Sequence, residues 1–372
     1  MLENQFKKYV FEQLLLEEGS RVVAAISGGI DSMVMLHLLK GLKLQLHVAH
    51  CNFRLRGKES DSDEAFIRDF CVQNNLPVEV KHFDTTTYAK RNQLSVQMAA
   101  RDLRYAWFEE LRQEIGYDFI AIAHNLDDTV ETVFLNLARG TGIRGISGIK
   151  NRSGAVIRPL LFATRNEIYL YATENDVGFR EDSSNLSVKY KRNQIRHTVI
   201  PQFLKLNPSF QKTMRSNMDR FAEIEELVTE ILFKEKEKII SKSGDREIRM
   251  DIKQLRKTKA PKTVLFEIIQ PFGFSASVVT DVLESIGTQP GKVFYSPSHV
   301  ILLDRDDLIL REKVNQIDRE FLLEHGSTEI SFPIKMKINI FNRTEEFAIS
   351  RKKNIAELDA DLAAGGGELD GV

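Results

Sequence analysis

The chain has 372 residues, of which 42% are hydrophobic and 28% charged, with a formal net charge of −1 at pH 7. This composition is ordinary for a globular protein of two or three domains, and its apolar runs are far too short to span a membrane. The near-neutral charge excludes a general attraction for nucleic acid, so such a partner needs a local basic patch. Because Cys51 and Cys71 form no CxxC motif, metal-cluster and disulfide frameworks are poorly supported, and we expect a cytoplasmic protein.

The first half of the chain alternates strand-length apolar runs with helical patterns. After an amphipathic helix in the first 20 residues, which show no cleavable signal pattern, the predicted strands are RVVAAIS, LQLHVAH, PVEVKHF, DFIAIAH and AVIRPLL. A helix follows each strand, and the last helix opens with Thr164 and Glu167 at the spacing of a capping box. Apolar strands separated by helices predict an α/β fold, a doubly wound parallel sheet with its ligand site at the carboxyl ends of the strands.

The pattern changes near Asn207, where a long helix begins that runs to about Ile240. A smaller α+β unit follows, with a strand EIRMDI, two helices near residues 264–270 and 276–286, and a hairpin VILLDRDDLILR. From Glu329 a period-two pattern starts another β element, which an acidic tail rich in glycine and alanine cuts short. We therefore predict four regions: 1–206, a catalytic domain; 207–240, a linking helix; 241–316, a small α+β domain; and 317–372, an incomplete C-terminal β element with a disordered tail.

The string SGGIDS follows the first predicted strand and opens the next helix. Its glycines, Gly28 and Gly29, let the backbone approach an anion, while the free N–H groups of the helix start supply donors and a partial positive charge. The string is neither a Walker A loop nor a GxGxxG fingerprint. A pair of glycines alone would favour a tight turn. The full string instead favours a phosphate site made by Ser27, Gly28, Gly29, Ile30, Asp31 and Ser32.

Asp31 is the residue of this loop that needs an explanation. A carboxylate at a helix N-terminus is favoured by the helix dipole, but it repels a polyphosphate. The conflict disappears if Mg²⁺ lies between them, as it does when a nucleotide arrives with its metal. Asp31 therefore predicts a Mg²⁺–ATP ligand held by its pyrophosphate part, and cleavage between the α- and β-phosphates would leave an adenylate.

The loop resembles the pyrophosphate loop of the N-type ATP pyrophosphatases, the PP-loop family. Further strings narrow the resemblance to the tRNA(Ile)-lysidine synthase family, in the family's order over roughly residues 20–210: HVAHCNFRLRGKESDSDE, ARDLRYAWFEE, AHNLDDTVETVFLNLARGTGIRGISGI, RPLL, EDSSNLSVKYKRNQIRHTVIP and NP. The resemblance implies a cytoplasmic ligase that uses ATP and Mg²⁺. Such a ligase adenylates the wobble cytidine of a tRNA(Ile) with the anticodon CAU. It then joins free L-lysine to that base and releases AMP and pyrophosphate.

Cations for the phosphates are predicted on the long helix that contains ARDLRY. Arg101 and Arg104 lie one turn apart on one face, and arginine suits bidentate contact with phosphate. The alternative is a surface helix whose arginines pair with acids such as Glu109. The resemblance assigns Arg104 to the ATP phosphates. We expect His124, at the end of the fourth strand, to position the α-phosphate or to act in proton transfer.

Three carboxylates crowd the helix start in HNLDDTVET. Asp128 and Glu131 are three residues apart and Asp127 and Glu131 are four apart, so we expect a cation at this face. Mg²⁺ is one candidate occupant, and an ordinary acid-rich first turn is the alternative. The resemblance implies that Asp128 and Glu131 contact the ammonium of lysine and take part in catalysis. Since an ammonium with a pKa of about 10.4 is not a nucleophile, one of these carboxylates is expected to accept its proton.

A segment without acidic residues covers residues 183–218. Its basic residues are Lys189, Lys191, Arg192, Arg196, Lys205, Lys212 and Arg215. The ordinary interpretation is a solvated helix face, but the absence of acids favours an anionic partner, and we predict that Arg192 and Arg196 contact tRNA phosphates. Arg192 could equally reach the ATP phosphates. We expect Arg54 and Arg56 in FRLRG to line the entry for the cytidine.

Two other classes of function stay open at this stage. One is another enzyme of the same fold, either a tRNA-thiolating enzyme, which usually needs a reactive cysteine pair, or a nucleotide-amidating ligase, which needs ammonia. The other is a nucleotide sensor or RNA-binding module without turnover, in which the acidic cluster would have no role. The sequence also leaves a homodimer open. The family's longer members continue into a C-terminal domain that helps to grip tRNA, so the shortened β element bears on tRNA affinity. We also expect the small α+β domain at 241–316 to bind tRNA.

Overall fold

The computed structural model describes residues 2–14, 16–180, 191–244 and 247–313, together with two short strands at 329–330 and 336–337. The chain divides into two compact units, Met1–Arg311 and Glu312–Val372. The first unit contains two sheets, each with hydrophobic cores of its own. No helix among the described residues is both long enough and apolar enough to cross a bilayer.

A six-stranded sheet organises the first half of this unit. Its strands are β1 (Arg21–Ala25), β2 (Gln45–Asn52), β3 (Val78–His82), β4 (Phe119–Ile122), β5 (Arg152–Ser153) and β6 (Val156–Ile157). In space their order is β3-β2-β1-β4-β6-β5, and every pair is parallel except β5 with β6. The strand order reverses between β1 and β4, which is where a doubly wound sheet binds its ligand. The predicted fold class is confirmed.

Helices cover both faces of this sheet, as its apolar central strands require. They are α1 (Leu2–Lys8), which continues as a π-helical turn (Tyr9–Gln13), α2 (Ile30–Lys40), α3 (Lys58–Gln73), α4 (Thr85–Arg91), α5 (Val96–Glu114), α6 (Leu126–Arg139), α7 (Ile143–Ile146) and α8 (Arg165–Glu174). In β1, Val22 and Ala24 face the core that contains Met35 of α2. Val23 between them faces the opposite core, which contains Trp107 of α5. This alternation has the period of two that a strand imposes.

The second half of the unit begins with helices and ends in an antiparallel sheet. The helices are α9 (Lys191–Gln194), a π-helical turn (Ile195–Val199), α10 (Ile200–Leu206), α11 (Phe210–Ile239), α12 (Ile252–Lys257), α13 (Pro261–Ile269) and α14 (Ala276–Ser285). The strands are β7 (Ile240–Gly244), β8 (Glu247–Asp251), β9 (Val293–Tyr295), β10 (His299–Leu303) and β11 (Asp307–Glu312). Their order is β7-β8-β11-β10-β9, so the predicted hairpin is present as β10 and β11.

Two elements differ from the prediction. The strand predicted in AVIRPLL is only the two-residue β6, because Pro159 has no N–H to continue a strand ladder. The short α4 stands apart from α5, since Gln93 between them has φ +53° and cannot continue a right-handed helix.

The predicted linking helix corresponds to α11, and the boundaries at 206, 240 and 316 stay predictions. In the second unit, β12 (Glu329–Ile330) and β13 (Met336–Lys337) form an antiparallel pair. The rest of the predicted β element and the predicted disordered tail lie outside the described residues.

Candidate active site

Two helices begin side by side at the carboxyl ends of β1 and β4. α2 follows β1 through residues 26–29, and α6 follows β4 through residues 123–125. Asn125, which is fully buried, joins them. Its Nδ2 donates to Asp31 Oδ1 over 3.1 Å, and its Oδ1 accepts the backbone N–H of Asp128 over 3.0 Å. The predicted phosphate loop and the predicted acidic turn therefore belong to one site.

The first turn of α2 presents backbone donors that no capping side chain occupies. Gly28 has φ +88°, a left-handed conformation that favours glycine. Gly29 is the N-cap of α2 and has no side chain to bond to the first turn. Ser32 folds back on the loop, since its Oγ donates to Gly29 O over 2.8 Å and accepts from Ser27 Oγ over 3.2 Å. Uncapped N–H groups beside glycines are the usual partners of a bound phosphate.

Asp31 lies in the first turn of α2 with two partners. It accepts from Asn125, and Arg165 Nη2 lies 3.5 Å from its Oδ2. Burial raises the pKa of the Asp31 carboxyl above its ordinary value, while Arg165 opposes this shift. The described residues contain no group of three or more His, Cys, Asp or Glu side chains that could hold a metal by themselves. Mg²⁺ commonly takes one or two protein carboxylates and completes its shell with phosphate and water, so Asp31 fits a Mg²⁺ ion that arrives with ATP.

Glu131 is the most deeply buried acid of the site, and two arginines hold it. Its side chain is 1% exposed. Arg196 Nε donates to its Oε1 over 2.5 Å, and Arg192 Nε donates to its Oε2 over 2.6 Å. Arg192 also donates through Nη2 to Asp128 Oδ1 over 3.0 Å. The predicted acidic face therefore does hold cations, but in this protein they are guanidinium groups of the segment predicted to bind tRNA.

Asp127 binds neither of the two arginines, although its four-residue spacing from Glu131 predicted that the two carboxylates share one face. Its Oδ2 accepts the backbone N–H of Arg165 over 2.8 Å, and its Oδ1 accepts from the side chain of Gln211. Burial raises the pKa of the Asp127 carboxyl. Because these partners lie at the start of α8 and in α11, Asp127 ties α6 to two other helices.

His124 lies at the end of β4 among positive charges. Arg158 Nε donates to its Nδ1 over 3.3 Å, which leaves the ring proton on Nε2. Burial, together with the positive charges of Arg158 and Arg192, lowers the pKa of His124 to about 3. His124 is therefore a neutral imidazole near pH 7, able to donate one hydrogen bond from Nε2.

Arg101 and Arg104 are exposed and lie against aromatic rings. The guanidinium of Arg104 is 5.4 Å from the ring centre of Phe53, and that of Arg101 is 4.9 Å from the ring centre of Tyr105. The alternative of pairing with Glu109 is not observed, since Arg112 takes that carboxylate at 2.6 Å. Within the described part of the chain no carboxylate forms a salt bridge with Arg101 or Arg104, so the N–H donors of both are available to an anionic ligand.

The two arginines of FRLRG differ in their surroundings. Arg56 Nη2 lies 2.7 Å from Asp63 Oδ2, and Arg180 binds the other oxygen of the same carboxylate. Arg54 is exposed, with φ +54° and its backbone N–H on Asn52 Oδ1. Arg54 thus presents its side chain to solvent, whereas Arg56 is held against α3.

Three residues of the site were not predicted: Asn125, Arg158 and Arg165. Asn125 directly precedes an acid-rich helix start, so its N-cap signal was present in the sequence. The other two carry no local signal. Arg158 reaches His124 across 34 positions, and Arg165 reaches Asp31 across 134 positions.

Two family models match this chain. A PP-loop domain covers residues 1–203, and a TilS substrate binding domain covers residues 242–313. The tRNA(Ile)-lysidine synthase of Parabacteroides distasonis is 39% identical over 95% of this chain and 80% of its own length. The chain belongs to the tRNA(Ile)-lysidine synthase family. The synthase of Bacteroides thetaiotaomicron is 36% identical over 97% of this chain and 81% of its own length.

A solved structure shares the fold of this tRNA(Ile)-lysidine synthase family member. The U34-tRNA thiolase of Methanococcus maripaludis, solved with its [4Fe-4S] cluster, aligns with a TM-score of 0.50 and 21% identity over 60% of this chain and 79% of that chain. In the present chain burial raises the pKa of Cys51 to about 12 and that of Cys71 to about 11. Such thiols are poor nucleophiles, so the cysteines give no support to the alternative of thiolation.

Proposed function

We propose that this protein is a lysidine-forming ligase. It adenylates the wobble cytidine of tRNA(Ile) with the anticodon CAU and then joins free L-lysine to the base, releasing AMP and pyrophosphate. The observation that carries the proposal is the double contact of Asn125 with Asp31 and Asp128, which supports ATP and lysine reacting in one connected site. We assign the reaction to the cytoplasm, where all three substrates occur. A homodimer stays a prediction that sedimentation velocity would test.

The phosphate loop and the exposed arginines serve the adenylation step. The N–H groups of the loop from Ser27 to Ser32 bind the pyrophosphate part of ATP. Asp31 would hold Mg²⁺, which when bound screens the phosphate charges and polarises the phosphoryl oxygens. Arg104, with Arg101 beside it, stabilises the charge that develops on the α-phosphate. His124 donates from Nε2 to an oxygen of the same phosphate, as a neutral imidazole does.

The lysine site is made by Asp128 and Glu131. The incoming ammonium takes the place of Arg192, whose side chain is 38% exposed, whereas Arg196 is 18% exposed and stays with Glu131. This exchange keeps the buried Glu131 paired with a cation throughout. One of the two carboxylates then accepts the proton that the amine must lose before it attacks. The released Arg192 is free to turn toward the phosphates or the tRNA.

Three exposed arginines support the approach of a nucleic acid to the carboxyl ends of the strands. Arg54, Arg101 and Arg104 are exposed, and Arg104 lies over Phe53 beside the end of β2. Guanidinium groups next to aromatic rings suit a phosphate with an unstacked base. We propose that the cytidine enters here. Arg196 is assigned to the lysine site rather than to tRNA.

Lysine incorporation by the purified chain tests this proposal. With ATP, Mg²⁺, labelled L-lysine and an unmodified tRNA(Ile) transcript bearing CAU, we expect label in the tRNA and AMP in equal amount. Glu131→Gln should abolish incorporation. Arg21→Gln should retain it, because Arg21 pairs with Asp118 at the amino ends of β1 and β4, away from the site at their carboxyl ends. Absence of label with the unsubstituted chain contradicts the proposal, and ATP binding without pyrophosphate release would favour a nucleotide sensor instead.

A further inference from the structure

Arg165 faces the phosphate loop from the first position of α8, and the proposed reaction gives it no role so far. Its Nη2 lies 3.5 Å from Asp31 Oδ2, and its side chain is 37% exposed. Its backbone is fixed, because its N–H donates to Asp127 over 2.8 Å and Thr164 before it forms a capping box with Glu167. The partly exposed guanidinium therefore extends toward Asp31 from an anchored backbone.

The helix that carries Arg165 is packed against the helix that carries the phosphate loop. Ile168 and Ala172 of α8 are buried in the same core as α2. Tyr171 Oη and His37 Nδ1 form a hydrogen bond of 3.1 Å between the two helices. Since α2 and α8 are held together in this way, the distance from the Arg165 backbone to the loop is fixed by the core.

We propose that Arg165 exchanges partners when ATP binds: it neutralises Asp31 in the free protein and binds the pyrophosphate part of ATP once Mg²⁺ occupies Asp31. This inference rests on the proposed function only in taking Mg²⁺–ATP as the ligand of the loop. The partly buried carboxylate of Asp31 is stabilised by a positive partner, which Arg165 supplies in the free protein. A divalent ion on Asp31 repels a guanidinium at this distance.

The anions that accompany the ion receive the displaced side chain. Pyrophosphate oxygens lie around a nucleotide-bound Mg²⁺, and arginine binds phosphate through two parallel N–H donors. Arg165 is thus a residue that binds the leaving group of the adenylation, and it distinguishes ligands with a pyrophosphate part from AMP.

Calorimetric titration without tRNA or lysine tests this inference. The ligands are Mg²⁺–pyrophosphate, the Mg²⁺ complex of a non-cleavable α,β-methylene ATP, and AMP. We expect Arg165→Gln to weaken the binding of the first two ligands by about tenfold, which corresponds to the loss of one charge-assisted hydrogen bond. The binding of AMP should weaken by less than twofold. The affinity of Arg165→Lys for the pyrophosphate ligands should lie between those of the unsubstituted chain and Arg165→Gln, because lysine keeps the charge but not the bidentate geometry. Arg21→Gln, at the amino ends of the strands, is the matched control and should leave the affinities for all three ligands unchanged.

Two results would overturn the inference. Unchanged or tighter Mg²⁺–pyrophosphate binding in Arg165→Gln means that Arg165 acts only as a competitor for Asp31. An equal loss for all three ligands means that it acts only through the structure of α8. Because no lysidine is formed in this experiment, its outcome is separate from the incorporation assay. A chain that fails to incorporate lysine could still bind pyrophosphate through Arg165.

Discussion

Removing Arg196 is the most direct perturbation of the acidic site. Arg196→Met keeps the length of the side chain but leaves Glu131, whose side chain is 1% exposed, without its best-buried partner. Loss of one member of a buried ion pair costs about 3–5 kcal/mol, since the remaining charge stays desolvated. Arg192 still bonds to Glu131 Oε2 over 2.6 Å, so we expect a value at the low end, about 3 kcal/mol.

Urea unfolding followed by tryptophan fluorescence measures this cost. Trp107 is the only tryptophan in the sequence and is 6% exposed in the core beneath the central sheet, so it reports on the unit that carries the site. Arg21→Gln is the matched control, because the Arg21–Asp118 pair is 46% and 40% exposed and such pairs contribute about 0.2–1 kcal/mol.

A double-mutant cycle completes the experiment. Glu131→Gln combined with Arg196→Met removes both members of the pair, and the double variant should be destabilised by less than the sum of the two single variants, with a coupling of about 2 kcal/mol. An Arg196→Met cost no larger than that of Arg21→Gln, together with additive single effects, would refute the buried pairing on which the proposed lysine site depends.

Two further predictions concern His124 and Cys51. The pKa of His124 is about 3 in the folded chain and about 6.5 when unfolded, so the unfolded state binds more protons between these values and the free energy of unfolding falls as the pH is lowered through this window. At pH 5 this loss amounts to roughly 2 kcal/mol at most, and urea titrations of His124→Asn should show a shallower pH dependence. Cys51→Ala should retain lysine incorporation, because burial keeps this thiol protonated; loss of activity with an unchanged unfolding midpoint would reopen a thiol mechanism.

The fold was largely predictable because its signals are local. Strands buried on both faces are apolar throughout, so β1 and β4 stand out as continuous runs such as RVVAAIS and DFIAIAH. The capping box of Thr164 and Glu167 was equally visible, since its two residues are three apart. The shortness of β6 was predictable only in hindsight, from the proline that follows it.

The site was predictable in its parts and not in its pairings. The phosphate loop and the acidic turn each lie within one short string, and the same sheet edge brings them together. The partners of Glu131 lie 61 and 65 positions away, at Arg192 and Arg196, and no spacing rule reaches so far. The segment at residues 183–218 contains no acid of its own, which suggested a basic surface for tRNA. The acids that bind its Arg192 and Arg196 lie on α6, so the segment alone could not reveal them.

The carboxylates of this site share one electrostatic constraint. Glu131 is buried and Asp31 is partly buried, each near the start of a helix that follows a parallel strand. An unpaired charge is costly in both places, and each carboxylate has an arginine partner in the free protein. The two more exposed arginines, Arg165 and Arg192, hold the positions that the proposed reaction gives to Mg²⁺ and to the lysine ammonium. In the proposed reaction each positive ligand replaces an arginine, so that neither carboxylate is left without a positive partner. Each proposed exchange also releases an arginine side chain near the phosphates. The binding of Mg²⁺ and of lysine would thereby supply N–H donors for the phosphate groups.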